Sequence, residues 1–194
     1  MSPPLSALFT TTCFVRLPIL PTHAGIFAAP EVRQLNLPSV RIIEKPGRDR
    51  MADPEDIYNW RRLDQRITTS GQPTEPQLAD IQALGVRHVV NLGLHTHEKA
   101  LPDEAASVSR LGMTYIHIPV DFQKPTDQDF ERFCSVMDEL NDVPVHVHCI
   151  ANYRVSAFFY RYRRDVLGWN DAKARAEMEA IWHPEGVWAE FIRR

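Results

Sequence analysis

The stretch Val145-His146-Val147-His148-Cys149-Ile150-Ala151-Asn152-Tyr153-Arg154-Val155-Ser156 decides how the rest of the chain is read. Val143–His148 is short and β-rich, as a buried strand should be. From Arg154 to Leu167 the pattern turns helical, with Val155, Phe158, Phe159, Tyr162 and Val166 as a core face and the arginines between them as a solvated one. A tight polar loop joins the two. Moving outward, the alternation continues. Asp56–Leu63 reads as a short helix, Arg66–Thr69 as extended chain and Ser70–Pro73 as a turn. Thr74 is a natural N-cap, with acidic Glu75 and helix-starting Pro76 behind it and Gly85 at the far end. Val86–Leu92 is a strand, Pro102–Leu111 a helix closed by Gly112, and Met113–Val120 a strand. Asp127–Leu140 is a helix with Phe130, Phe133, Val136, Met137 and Leu140 at core spacing, and two short helices, Asp171–Trp182 and Glu185–Ile192, finish the chain. Strands and helices in alternation with short connections predict an α/β single domain, a mostly parallel central sheet with helices on both faces. In such sheets ligands sit beyond the carboxyl ends of strands, against helix N-termini, which picks out the Cys149–Arg154 junction.

Composition sets the bounds. The chain has 194 residues, 44% hydrophobic and 24% charged, enough for one core without disulfides or metals. A net charge of -3 gives no bulk attraction for nucleic acid or an anionic membrane, so any pull on an anionic substrate is local. The three cysteines (Cys13, Cys134, Cys149) form no CxxC pair, which argues against a disulfide framework or zinc module. A working thiol survives best in a reducing compartment, so a cytoplasmic location is expected. Residues 1–50 are broken by Pro3, Pro4, Pro18, Pro21, Pro30, Pro38 and Pro46 and hold no lasting period; they read as a disordered extension or as sequence upstream of a true start at Met51, the reading favoured. No Lys or Arg precedes Arg16, against a secretory signal, and no run reaches the roughly 18 apolar residues of a membrane span.

The chemistry follows from the junction. A cysteine before a helix N-terminus faces free N–H groups and a partial positive charge, which stabilise a thiolate. Arg154 adds a permanent cation whose planar fork suits phosphate oxygens, and Ser156 can donate a hydrogen bond to the sulfur. An ionised cysteine within a ring of donors suits attack on a phosphate monoester, with a phosphocysteine intermediate. The other candidates read as structure. Cys134 faces the core of its helix, while Trp169, Trp182 and Trp188 pack the terminal helices. His146 and His148 share one face of their strand, with His117 on a neighbour, but no carboxylates or further cysteines complete a metal site. His148 is expected to orient the loop through a backbone hydrogen bond, and His95 and His97 to lie in an exposed loop.

The segment His148-Cys149-loop-Arg154 resembles the signature of protein tyrosine and dual-specificity phosphatases, usually written H-C-x-x-G-x-x-R-S/T. Thr69–Thr74, Val89–Leu92 and Tyr115–Val120 are similar to a bacterial branch of that superfamily, the small phosphatase-like type noted beside β-lactamase-like hydrolases. The resemblance covers residues 56–192 of a phosphatase-like domain over 51–194. In ungapped register the family glycine falls on Asn152, the residue that best replaces Gly at positive φ, and the family Ser/Thr on Ser156. The family arginine falls on Val155, whereas this chain has Arg154. Either the loop has normal length and Arg154 approaches the anion from the neighbouring position, or one residue is deleted; the ungapped version keeps Ser156 in register and is favoured.

The resemblance implies a phosphomonoester hydrolase without metal or organic cofactor. Cys149 is the nucleophile. Arg154 and the backbone amides of Ile150, Ala151, Asn152, Tyr153, Val155 and Ser156 hold the phosphoryl group. Asp121 is the general acid, placed on the loop after strand 113–120, with Asp127 and Asp129 in reserve. The substrate is a phosphorylated protein or a small phosphomonoester, with no nucleic-acid or membrane partner. Two alternatives stand beside it: a catalytically weak phosphate-binding pseudophosphatase, and a rhodanese-like sulfurtransferase, whose Cys-to-Arg loop is tighter.

Overall fold

A computed structural model describes residues 52–194; the expected extension over 1–50, with Cys13, and the start at Met51 lie outside the described residues. Strands β1 (Arg61–Arg62), β2 (Ile67–Ser70), β3 (His88–Asn91), β4 (Thr114–His117) and β5 (Val145–His148) form one sheet in the order β1-β2-β5-β3-β4. All neighbours are parallel except β1, which pairs antiparallel with β2. β5 lies at the centre, so the residue that follows it emerges between two neighbouring strand ends. The helices are α1 (Glu75–Ala83), α2 (Glu104–Arg110), α3 (Asp127–Glu139), α4 (Tyr153–Arg161), α5 (Asp171–Glu179) and α6 (Gly186–Phe191).

The period-2 alternation of the strands separates two cores. Val90, Val145 and Val147 pack with α3, α4, α5 and α6 through Phe133, Phe158, Met178 and Phe191. Val89, one residue away, faces α1 and α2 through Leu78, Ile81 and Val108. Helices therefore cover both faces, as the alternation of elements predicts. Within the larger core the aromatic rings meet edge to face, the favoured arrangement for their quadrupoles: Phe133 lies 5.5 Å from Phe158 and 5.2 Å from Phe159 between centroids.

The N-terminal caps form as the residue types dictate. Thr74 accepts from Gln77 N and Gln77 returns the bond, a complete capping box, and Thr126 and Asp129 do the same for α3. Thr126, rather than Asp127, therefore caps α3, and Asp127 is its first helical residue.

Two expected elements differ. Asp56–Leu63 is not a helix: Asn59 takes a left-handed φ of 53°, which breaks the helical path, and Arg61 and Arg62 pair with Thr69 and Thr68. The arginine face of the long helix is not solvated either. After Arg161 the chain makes a π-helical turn, Tyr162–Val166. The extra residue in that turn shifts the register, so Val166 is 53% exposed while Arg161 and Arg163 are buried. Arg161 lies over the rings of Phe130 and Phe191 at 4.1 and 4.6 Å and pairs with Asp127 at 2.8 Å. Arg163 pairs with Glu177 and lies over Trp169.

Phe133 is fully buried at the meeting of α3 and α4. Its truncation to alanine is expected to cost about 3–5 kcal/mol, the usual range for a buried phenylalanine, read as a lower urea midpoint at an unchanged denaturant slope.

Candidate active site

At the carboxyl edge of β5 the chain must turn through Cys149–Asn152 and enter α4 at Tyr153. The turn is possible because Asn152 adopts φ 64° and ψ 5°, the left-handed conformation that only Gly and a few short polar residues tolerate. Asparagine also supplies what glycine cannot: its Nδ2 donates to Asn59 O at 2.8 Å and to Thr69 Oγ1 at 3.0 Å. Asn59 returns the clasp, its Nδ2 donating to Ala151 O at 3.0 Å. Ile150 O accepts from Gln72 N at 3.1 Å, and Gly71 forms an isolated antiparallel bridge with Ala151. The loop carbonyls are thus fastened outward to the Asn59 turn and the Gly71–Gln72 turn. The first amides of α4 have no partner within their own helix, as at any helix start; the turn closes with Ser156 N bonded to Asn152 O at 3.0 Å.

Cys149 is completely buried by its neighbours yet lies in the wall of a cavity of about 320 Å³. Ile150, Ala151, Tyr153 and Arg154 line it from the same loop and helix start, and Phe122 and His97 from the loops after β4 and β3. Arg154 is held by a 3.0 Å bond from Nε to Val120 O, with its guanidinium 5.1 Å from the centre of the Phe122 ring. Its two terminal nitrogens have neither carboxylate nor hydrogen-bond acceptor among the described residues. Val155, where the ungapped register puts the arginine, is fully buried in the larger core. Arg154 is the cation that shares the cavity with Cys149.

Other expected positions fall elsewhere. Ser156 Oγ donates its single hydrogen to Tyr153 O at 2.9 Å and accepts from Trp182 Nε1 at 3.0 Å, so that hydrogen is not directed to the sulfur; its backbone amide is the one closing the helix turn. Asp121 is exposed, does not line the cavity, and accepts from Gln123 N at 2.8 Å. It stands, however, between Val120 and Phe122, the two residues that touch Arg154. Asp127 and Asp129 are occupied at the start of α3. Cys134 is half-buried on α3, and burial pushes its thiol up to about 11, in keeping with a packing role.

Beneath the cavity, on the α1/α2 side of the sheet, lies a polar layer that the sequence did not announce. Ser70, His148, Asn91 and His117 are in register across β2, β5, β3 and β4. His146 is buried between Thr68 Oγ1 at 2.9 Å and Ser70 Oγ at 3.0 Å, and stacks on Trp60. Because Ser70 Oγ donates to Gly71 O, it accepts from His146 Nε2, which fixes a neutral tautomer; burial pushes His146 well below its ordinary value. Glu104, in the first turn of α2, is 2% exposed. It accepts from Gln72 Nε2 at 2.8 Å, Asn91 Nδ2 at 2.7 Å and Tyr115 OH at 3.1 Å, and lies 3.1 Å from His148 Nε2. Burial pushes its carboxyl up, but the charge of His148 and these bonds outweigh it and hold the group at about 2. His117 donates to Gly93 O at 2.7 Å and stacks on His95 at 3.8 Å. Among the described residues, no cluster of His, Cys, Asp or Glu could hold a metal ion, and no helix is long and apolar enough to cross a membrane.

Comparison with known proteins agrees with this geometry. Residues 37–187 match the profile of a family described as a DSP-PTPase phosphatase fused to NAD+ kinase. A crystal structure of a DUF442 protein from Shewanella putrefaciens CN-32, classed with the phosphatases, is similar at 33% identity and a TM-score of 0.64, over 71% of this chain and 91% of that one. TpbA of P. aeruginosa, solved as a cysteine-to-serine variant with phosphotyrosine, shares the fold at 21% identity and a TM-score of 0.60, over 74% of this chain and 86% of its own. A β-lactamase hydrolase-like protein of Agrobacterium fabrum is 28% identical over 101 residues; the match covers 50% of this chain and only 23% of that protein.

Two outcomes follow from the geometry. A Cβ at Gly71 would lie 2.9 Å from Ile150 O and from Tyr58 Cδ1, so Gly71→Ala is expected to cost about 1–3 kcal/mol through overpacking, measured by thermal unfolding. Glu104 has a depressed folded value, so its stabilisation is complete above the ordinary carboxylate range near 4.3 and is lost as pH falls from there toward about 2. Melting temperatures between pH 5 and 2 should therefore fall more steeply for the wild type than for Glu104→Gln.

Proposed function

The chain belongs to the phosphatase family described as DSP-PTPase fused to NAD+ kinase, and on that premise we propose that it hydrolyses phosphomonoesters through a phosphocysteine intermediate. The observation that carries the proposal is the pairing of Cys149 with Arg154, an arginine whose terminal nitrogens have no protein partner among the described residues, in one cavity at a helix N-terminus. An uncommitted guanidinium beside a nucleophile, under the first amides of a helix, supports binding of a tetrahedral oxyanion.

In the proposed reaction the phosphoryl oxygens rest on the Arg154 guanidinium and on the free amides of the Cys149–Val155 turn. The Cys149 sulfur attacks phosphorus as a thiolate. The sulfur–phosphorus bond forms as the bond to the leaving oxygen breaks, and that oxygen takes its electron pair together with a proton from Asp121. The Asp121 carboxylate then removes a proton from a water that attacks the phosphocysteine, which releases inorganic phosphate and restores the thiolate. For Asp121 to serve, its loop must turn from the Gln123 cap toward the cavity; Val120 and Phe122, on either side of it, already touch Arg154. Substrates are a phosphorylated protein or a small phosphomonoester, and the aromatic and apolar lining from Phe122, Tyr153 and Ile150 supports an apolar leaving group.

A second reading is a pocket that binds phosphate without turning it over. It is favoured by the outward position of Asp121. Calorimetry showing phosphate binding, with no release of product from any aryl phosphate, selects it.

Hydrolysis of p-nitrophenyl phosphate tests the nucleophile: Cys149→Ser should reduce turnover to background, and equal rates in the two proteins would end the assignment. Arg154→Ala should lower kcat/KM about 100-fold or more, whereas Val155→Ala should change it by less than about fivefold, since one loses a guanidinium at the anion and the other only core volume. Asp121→Asn should lower kcat by about 10²-fold on phenyl phosphate and far less on p-nitrophenyl phosphate, whose leaving group needs no proton.

A further inference from the structure

A carboxylate that is 2% exposed is costly unless its oxygens are fully occupied. Glu104 meets that condition with partners from four segments, and each partner also holds a part of the cavity. Gln72 donates its side-chain amide to Glu104 while its backbone N–H holds Ile150 O at 3.1 Å. His148 lies 3.1 Å from the carboxylate through Nε2, and its Nδ1 faces the carbonyl of Cys149 at 3.4 Å. Asn91 donates to Glu104 and accepts from Gly93 N at 2.6 Å, where the backbone passes close to the Ile150 side chain. Tyr115 donates to Glu104 and bonds His95 Nε2 at 2.8 Å, in the loop that carries His97 to the cavity wall. Glu104 itself does not line the cavity.

We propose that Glu104 is a positioning residue for the phosphatase site: a single buried carboxylate that ties the loops after β2, β3 and β5 to strand β4 and so fixes the shape of the anion-binding turn around Cys149. The inference rests on the phosphatase reading above and goes beyond it in naming the group that holds the machinery without touching substrate. Four groups converge on two oxygens, so the charge as well as the shape is required. In Glu104→Gln one oxygen becomes an NH2 that faces donors, and at least one of Gln72, Asn91, Tyr115 and His148 loses its acceptor in a dry site. In Glu104→Asp the charge remains but is drawn back by one methylene.

The test compares wild type, Glu104→Gln, Glu104→Asp and Val108→Ala by p-nitrophenyl phosphate kinetics and by calorimetric binding of inorganic phosphate, at a temperature where circular dichroism shows all four folded. Val108 is fully buried on the same helix and makes no contact with the carboxylate's polar network, so it reports destabilisation of α2 alone. Expected are a loss of about 10–100-fold in kcat/KM and about tenfold weaker phosphate binding for Glu104→Gln, a loss of the order set by a misplacement of about 1 Å. Partial recovery is expected in Glu104→Asp, and values within twofold of wild type in Val108→Ala. If wild type hydrolyses the ester and Glu104→Gln matches Val108→Ala in both readouts, the positioning role is overturned and the phosphatase reading stands. If wild type neither hydrolyses the ester nor binds phosphate, the phosphatase reading falls and the positioning role with it. Should Glu104→Gln fail to fold, Glu104→Asp decides: wild-type binding and turnover in that variant would refute the proposal.

Discussion

The structure depends on one constraint: the chain must pass from the central strand into a helix in four residues, with its carbonyls turned away from the cavity. A left-handed residue at Asn152 makes the turn possible. Its direction is set from outside, by Gln72 N on Ile150 O and by the Asn59 clasp on Ala151 O. These bonds determine which way the peptide dipoles face, and a turn facing the other way would present acceptors to an anion. Ser70-Gly71-Gln72 and Asn59 thus contribute to the site as much as the loop itself does. Gly71 must be glycine because the Ile150 carbonyl and the Tyr58 ring leave no room for a Cβ.

The central strand carries two opposed chemistries on its two faces. Val145 and Val147 enter the aromatic core that anchors α4 and with it the start of the helix. His146 and His148 enter a layer of paired polar groups beneath the cavity, where every donor is matched to a hydroxyl, carbonyl or carboxylate of a neighbouring strand or loop. The apolar side supplies stability through burial, while the polar side supplies orientation, because hydrogen bonds in a dry interior are strict about direction. The nucleophile sits where the two meet.

The position of the arginine shows how a site can be close to a family pattern and still be rearranged. Counting along the chain puts the guanidinium one place off, yet a residue on the first turn of a helix swings through 100° per step. At position 154 the side chain leaves the helix toward Val120 and Phe122 and reaches the cavity from there, while position 155 points into the core. The terminal helices close the other side: Trp188 binds the Phe122 carbonyl and Trp182 stacks on Tyr153, so residues distant in sequence buttress the cavity wall.

Much of this was legible in the residues themselves. Alternating periodicities, the Thr74 and Thr126 capping boxes and the glycines after α1 and α2 determine the element order, and a strand–Cys–loop–Arg–helix junction marks the place of the chemistry, because each of these signals acts over a few neighbouring residues. What only the tertiary structure decided depends on partners far apart in the chain. The 56–63 segment has helical composition but is claimed by pairing with β2 and by the Asn59 clasp. Arg161 and Arg163 look like a solvated face until a π-turn and the folding-over of α5 and α6 bury them. Glu104 reads as an ordinary first-turn acid favoured by the helix dipole. Its partners lie 11 to 44 positions away in the sequence, and nothing local announces a buried charge whose compensation comes entirely from other strands.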